Sequence, residues 1–376
     1  MKKIGLLIDT LIGGGAERIV LNFAETFSKF GNEVHIILIK DVIEHEVDTS
    51  LYKIHAISED GELSKNKFIN KQKLTKRLKD KVAELEKDSK KFDLFISNAE
   101  DMDLLGKNAK LNNFYIRYRN SMFVYYESKF KNTKGLKKLR RKIKFKMQFK
   151  NRYDGQNIIT VSKALIEDIT NKMGIKPKFI KNIYNPFDFE RITQRGSELN
   201  ENIPKEKYII YAAKFENRKN QKLLLNAYKK SNVELPLVLI GNVHTQSDKD
   251  YLEEIKELVK TLELQDRVIF PGFQKNPYPW IKNAELFVMS SNSEGLPLVL
   301  VESLILGTNV VSTDCPTGPS ELLVGDLEEF LSPIHDVEKL AQNIKKAVTS
   351  YPKIDETILE RFKAEYSVKQ YLDLVS

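Results

Sequence analysis

At 376 residues the chain is long enough for two domains with substantial cores, and its 41% apolar and 30% charged content is that of a soluble globular protein. The single cysteine, Cys315, excludes an intramolecular disulfide and fits a reducing compartment. A formal charge of +9 invites anionic partners, which are nucleotides, nucleic acid or a membrane surface.

The first apolar run, Ile4 to Ile8, predicts a buried strand. Asp9 interrupts it too soon for a signal peptide, and no later apolar run reaches membrane-spanning length, so a cytoplasmic protein is expected. Gly13-Gly-Gly-Ala-Glu-Arg18 and an amphipathic helix through about Phe27 follow, then a strand at Val34 to Ile39, which together open as βαβ. The glycine run is not Gly-x-Gly-x-x-Gly, so it carries no dinucleotide fingerprint. Lys65 to Asp88 predicts a charged, solvated helix, and Phe92 to Ser97 another strand. Asp101-Met-Asp103 has the form of a metal-nucleotide tripeptide, but such tripeptides are common and the surrounding architecture is the wrong one for it.

Lys131 to Arg152 holds 11 Lys or Arg in 22 residues and no acid. Leu136, Leu139, Ile143 and Met147 share one helical face, predicted to anchor the helix, with Phe145 and Phe149 beside the basic side chains. Such a helix is solvated, binds nucleic acid, or lies on anionic lipid. Tyr125, Tyr126 and Phe130 upstream favour lipid, because aromatics sit well at headgroup level, and no nucleic-acid module accompanies the charge. Lys137, Lys138, Arg140 and Arg141 are the membrane-facing candidates.

Strands are predicted at Ile158 to Val161, with Ser162 as a helix cap, and at Phe179 to Ile183. Pro186 breaks regular structure and a polar stretch, Gln194 to Lys207, follows. The alternation then restarts, with strands at Tyr208 to Ala213, Leu237 to Ile240, Val268 to Phe270, Leu286 to Met289 and Asn309 to Ser312, and amphipathic helices from about Asp336. Ser290-Ser-Asn-Ser-Glu-Gly-Leu-Pro-Leu-Val-Leu-Val-Glu302 reads as a strand exit, a turn at Gly295 and a helix with Pro297 in its first position, closed by Gly307. A helix N-terminus in that setting suits phosphate, through the free amides of Gly295, Leu296 and Leu298. Glu294 precedes the helix and Glu302 lies among apolar neighbours, where a carboxylate is costly unless paired.

The Glu-x7-Glu pattern, with Glu-Gly-Leu-Pro and then Glu-Ser-Leu, resembles the signature of the retaining glycosyltransferases of family 4. The resemblance implies the α/β GT-B fold, two Rossmann-like domains facing a cleft. It places an acceptor-binding domain at 1–185, a nucleotide-sugar-binding domain at 186–359, and a last helix at about 360–376 crossing back onto the first. It implies that Glu302 grips the nucleotide ribose and Glu294 contacts the donor sugar. Lys214-Phe-Glu-Asn-Arg-Lys219 resembles the family's Gly-Arg-x(4)-Lys, so Lys219 and Lys214, helped by Arg218, are expected on the diphosphate; Lys214 stands where Arg is usual and cannot fork onto two oxygens. The loop at Thr317 and Gly318 resembles the family's phosphate-side loop. Gly14, Gly15 and Arg18 are implied on the acceptor side, and Arg119 where many relatives carry a histidine.

The implied reaction moves a hexose or N-acetylhexosamine from a nucleotide diphosphate sugar, with UDP expected, retaining anomeric configuration and needing no metal or cofactor. The expected acceptor is a lipid-linked or lipopolysaccharide glycan at the inner face of the cytoplasmic membrane. A nucleotide-sugar epimerase of the same fold and a non-catalytic nucleotide-binding member are the alternatives.

Overall fold

A computed structural model describes residues 1–12, 14–58, 67–87, 89–130 and 134–376, with backbone only for 67–69. Gly13, the ends of the charged helix expected at Lys65 and Asp88, and Lys131 to Thr133 of the basic run lie outside the described residues. The chain divides into two compact units, Met1–Phe187 with Arg361–Ser376, and Asp188–Glu360.

The first unit holds a parallel sheet of seven strands: β1 (Lys3–Ile8), β2 (Glu33–Lys40), β3 (Lys53–Ser58), β4 (Leu94–Ser97), β5 (Phe114–Tyr118), β6 (Asn157–Thr160) and β7 (Phe179–Asn182). Their spatial order is β3-β2-β1-β4-β5-β6-β7, so the connections reverse direction between β1 and β4. The connecting helices are α1 (Gly15–Lys29), α2 (Lys67–Lys87), α3 (Glu100–Ala109), α4 (Met122–Phe130), α5 (Gly135–Tyr153) and α6 (Ala164–Glu167). Strands covered on both faces are predominantly apolar, and β1 is buried along its whole length, with Lys3 its one charged residue. Ser162 does not cap α6: Lys163 stands at the N-cap, and the Ser162 hydroxyl is buried without a partner.

The second unit repeats the plan with α7 (Phe189–Gly196), β8 (Ile209–Ala212), α8 (Gln221–Ser231), β9 (Leu237–Ile240), α9 (Gln246–Thr261), β10 (Val268–Gly272), α10 (Tyr278–Asn283), β11 (Leu286–Met289), α11 (Leu298–Ile305), β12 (Asn309–Thr313), α12 (Pro319–Leu322), β13 (Leu331–Ser332) and α13 (Val337–Thr349). The sheet order β10-β9-β8-β11-β12-β13 reverses between β8 and β11. In parallel sheets of this kind ligands bind beyond the carboxyl ends of the strands at such a reversal.

The last helix, α14 (Ala364–Leu372), belongs to the first unit. Phe187 and Ala364 exchange backbone hydrogen bonds with Phe362 and Phe187, and Tyr371 meets Phe23 of α1 edge-on at 5.1 Å. Arg117 is buried beneath this helix, donating to the side-chain oxygens of Asn98 and Asn185. It has no carboxylate partner among the described residues, and burial pulls its guanidinium down to about 10.

Helix α5 turns opposite to the sequence expectation. Leu136, Leu139, Ile143 and Met147 are 75%, 55%, 50% and 66% exposed, so that stripe anchors nothing within the unit. The helix is held by its other apolar face: Phe145 lies 5.5 Å from Tyr126 and 6.0 Å from Phe130, and Phe149 and Tyr153 are buried beside Tyr118. Buried aromatics of that size contribute roughly 1.5–3 kcal/mol each. Among the described residues no helix is long and apolar enough to cross a membrane.

Candidate functional site

A cluster of charged side chains lies beyond β8 and β11, at the reversal of the second sheet. Glu294 leaves the loop after β11 and is 7% exposed. Its Oε1 accepts from Lys219 Nζ at 2.6 Å and its Oε2 from Arg218 Nη1 at 3.2 Å. Burial by itself raises a carboxyl, but the charges of Lys219 and then Arg218 outweigh it and hold Glu294 below its ordinary value. The carboxylate is therefore ionised and clamped by two cations.

Two loops are laced together to hold this arrangement. The Arg218 guanidinium also donates to the Ser293 carbonyl at 2.8 Å and to Glu216 Oε1 at 3.1 and 2.7 Å. Ser290 Oγ donates to the Lys219 and Asn220 carbonyls at 3.0 Å, and the Asn292 amide to the Arg218 carbonyl at 2.8 Å. Asn220 takes the left-handed conformation an asparagine tolerates, φ 50, and its side chain caps α8. Lys219 thus projects from a fixed backbone.

Thr317 Oγ1 donates to the Glu294 carbonyl, and Gly318 holds φ +100 where an added Cβ would meet Pro297 Cδ at 2.6 Å. Only glycine combines that backbone with that approach. The Thr317–Gly318 loop therefore braces the segment carrying Gly295 and Leu296. Residues 290–297 are irregular and the helix starts at Leu298, with Pro297 at its N-cap and not inside its first turn. Leu300, Val301 and Leu304 bury the far side of α11, which leaves its N-terminus aimed at the loop carrying Glu294. The amides of Gly295, Leu296 and Leu298 donate to no acceptor among the described residues.

Glu302 is 3% exposed and its Oε1 accepts from Tyr278 OH of α10 at 3.1 Å. Lys214 makes no ion pair with Glu294 and joins its cluster only through Glu216: its Nζ meets Asp248 Oδ2 at 3.0 Å and Glu216 Oε2, whose other oxygen takes Arg218, at 3.7 Å. Asp248 also accepts the His244 and Thr245 amides, at 3.0 and 2.8 Å. The structure thus brings Glu294, Lys219, Arg218 and Thr317 together and places Lys214 one acid further out, between Glu216 and Asp248. Glu216 and Asp248, the acids that engage these cations, carry no sequence signal, because they are ordinary loop and helix-start acids.

In the first unit, the residues singled out from sequence lie at the carboxyl ends of β1 and β5. Gly14 is the N-cap of α1, with its amide on His45 Nε2 at 3.3 Å; Gly15 and Arg18 occupy the first turn. Burial raises the carboxyls of both Asp9 and Glu17, and Arg119, which follows β5, lies close enough to oppose that rise in each. Asp9 is the residue the sequence reading passed over. Its Oδ1 is buried without a partner, and burial, followed by Asp101, pushes its carboxyl up to about 6 against the pull of Arg119. Its place immediately after the first strand was the available signal. Asp103 of the Asp-x-Asp tripeptide turns inward, accepting from Ser97 Oγ at 2.6 Å and Tyr153 OH at 3.2 Å.

The chain matches the model of glycosyltransferase family 4 over residues 13–191 and that of glycosyl transferases group 1 over residues 196–361. It is 28% identical to the N-acetylgalactosamine-N,N'-diacetylbacillosaminyl-diphospho-undecaprenol 4-alpha-N-acetylgalactosaminyltransferase of Campylobacter jejuni, across 92% of this chain and 90% of that protein. Among solved structures, a glycosyltransferase from Rickettsia africae superposes with a TM-score of 0.74 at 17% identity, covering 100% of this chain and 97% of that one. The Anabaena protein HepE, solved in complex with UDP and glucose, superposes with a TM-score of 0.69 at 17% identity, covering 99% of each chain. With its two parallel-sheet Rossmann-like units, the chain belongs to the glycosyltransferases of family 4 and group 1, with the GT-B fold.

Proposed function

We propose that this glycosyltransferase moves a hexose or N-acetylhexosamine from UDP-sugar, with retention and without a metal, to a lipid-linked or lipopolysaccharide glycan at the inner face of the cytoplasmic membrane. The observation that carries the donor half is the Glu294–Lys219–Arg218 cluster at the β8/β11 reversal. A donor diphosphate takes over the two cations and the amides of Gly295, Leu296 and Leu298. The freed Glu294 carboxylate accepts from sugar hydroxyls, and Glu302 accepts from the ribose. Lys214 contributes at longer range as a point charge.

No side chain serves as nucleophile. The bond from the anomeric carbon to the diphosphate oxygen breaks as the acceptor oxygen bonds to the same face. The acceptor proton passes to the leaving diphosphate. The enzyme's part is to position the reactants and stabilise charge growing on the diphosphate, work typically worth 10²–10³ in rate per well-placed donor. Gly14, Gly15, Arg18 and Arg119 are the acceptor-side groups in this reading. The bound nucleotide of HepE and the diphospho-undecaprenol in the Campylobacter enzyme's name support the donor and acceptor classes.

The membrane half rests on α5. Its exposed Leu136, Leu139, Ile143 and Met147 stripe is flanked by Lys137, Lys138, Arg140 and Arg141, which have no ion-pair partner among the described residues. Apolar residues inserted at the headgroup boundary with cations beside them form an interfacial helix. The test is turnover of a UDP-sugar panel with a polyprenyl-diphosphate-linked glycan in vesicles, reading the product linkage by NMR. An α-linked product from an α-donor is expected; an inverted linkage, or UDP-sugar isomerised without transfer, contradicts the proposal.

A further inference from the structure

Helix α2 carries eight Lys or Arg and three acids along Lys67–Lys87. Its acids are only partly available to its cations. Glu84 pairs with Lys81 at 2.7 Å, and Glu86 accepts the Phe92 amide at 2.9 Å. Lys71, Lys76 and Lys79 have no carboxylate partner among the described residues. These three line one groove of about 440 Å³ between α2 and α3, together with Gln72, Thr75 and Asn108.

Lys71, Gln72, Thr75, Lys76 and Lys79 share one helical face, a row about 12 Å long at 1.5 Å per residue. Like charges on such a face repel, and among the described residues none of these three ammoniums has a carboxylate on it. The field reaches α3: Lys107 is held below its ordinary value by burial, with the charge of Lys71 adding to that against the opposing pull of Asp154. The side-chain amides of Gln72 and Asn108 form no hydrogen bond among the described residues, and the Thr75 hydroxyl proton is spent on the Lys71 carbonyl at 2.7 Å. The unspent groups of the lining are therefore three ammoniums and two primary amides, a set rich in donors and suited to anionic oxygens.

We propose that the α2–α3 groove is a second anion site of this enzyme, binding a phosphate-bearing group of the diphosphate class, in addition to the nucleotide site of the second unit. A row of this length gives separate cations to the two phosphorus centres of a diphosphate, which a single phosphate leaves partly unused. The site does not depend on which sugar is transferred. Its ligand is a diphosphate, either carried on a lipid or free in solution, and both share this chemistry.

The experiment compares the full-length protein with the Lys71→Ala/Lys76→Ala/Lys79→Ala variant, whose altered side chains all lie at the surface; an unchanged Tm confirms that it folds. Sodium pyrophosphate is titrated calorimetrically with UDP saturating, so that the Glu294 cluster is occupied. Sedimentation is then measured with phosphatidylcholine vesicles containing phosphatidylglycerol, or containing a polyprenyl diphosphate. One equivalent of pyrophosphate is expected to bind, weakened at least tenfold in the variant. A loss with polyprenyl-diphosphate vesicles assigns the lipid-linked diphosphate and a loss confined to solution assigns a soluble diphosphate, whereas a loss confined to phosphatidylglycerol vesicles, whose headgroup carries one phosphorus, overturns the diphosphate assignment. Equal binding by both proteins in every arm overturns the proposal. Failure of UDP itself to bind would remove the nucleotide reading and leave the comparison of variants intact.

Discussion

Both sheets reverse their connections at a pair of central strands, yet the two reversal points treat charge in opposite ways. Beyond β8 and β11, the buried Glu294 has two cations on its oxygens and lies below its ordinary pKa. Beyond β1 and β4, Asp9 keeps a buried oxygen with no partner and is pushed up to about 6. The second unit holds Lys219 and Arg218 already neutralised by Glu294, and in the proposed reading an incoming diphosphate exchanges for that carboxylate. The first unit leaves a polar group unsatisfied, which costs stability until a hydrogen-bond donor arrives.

The largest effect that sharpens this contrast is on turnover. Lys219→Ala removes the shortest contact to Glu294 and should lower kcat by about 10²–10³ in a transfer assay. A loss below tenfold would mean that the cluster is structural. Next is the surface: replacing Lys137, Lys138, Arg140 and Arg141 with Glu should abolish sedimentation with anionic vesicles, since each cation near such a surface is worth about 1 kcal/mol. Unchanged sedimentation would sink the interfacial role of α5.

Glu294→Gln leaves Lys219 and Arg218 without their counter-charge. With Arg218 partly exposed, a loss of about 1–3 kcal/mol is expected, a fall of several degrees in Tm. Saturating UDP should restore much of it, because phosphate replaces the lost carboxylate; no restoration would contradict the exchange. Asp9→Asn tests the other side, with the opposite sign. A carboxyl whose folded pKa is raised favours the folded state while protonated and loses that advantage as pH rises from about 4 through 6. The substitution should therefore raise Tm at pH 7.5, by roughly 1–2 kcal/mol of stability after allowing for partial solvation, with the gain vanishing near pH 4. A Tm that falls at pH 7.5 would show that Asp9 is satisfied after all. The smallest effect belongs to Lys214→Ala, a several-fold weakening of donor affinity, because Asp248 already holds that ammonium at 3.0 Å.

Where local pattern and environment agree, the sequence was legible. Leu286–Met289, the irregular exit and the apolar run through α11 identified the strand, loop and helix that hold Glu294 and Glu302. β3 and β5 were passed over because Lys53-Ile-His-Ala-Ile-Ser58 lies at the sheet edge with half its side chains polar, and Phe114-Tyr-Ile-Arg-Tyr118 buries an arginine. Helix α5 was read with the wrong face inward because it carries two apolar stripes, and periodicity alone cannot say which one the fold covers. The pairing of Lys214 with Asp248, and the orphaned oxygen of Asp9, arise from contacts that no spacing encodes.

The central claim is that the Glu294–Lys219–Arg218 cluster and Glu302 form a nucleotide-sugar site. Calorimetric titration of UDP-, GDP-, ADP- and CMP-sugars into the wild-type protein and Glu302→Ala tests it most directly. Saturable binding of the UDP-sugars, lost in Glu302→Ala while its Tm is retained, is the predicted result. Equal affinity in the two proteins, or no binding of any nucleotide with vesicles present, would contradict it.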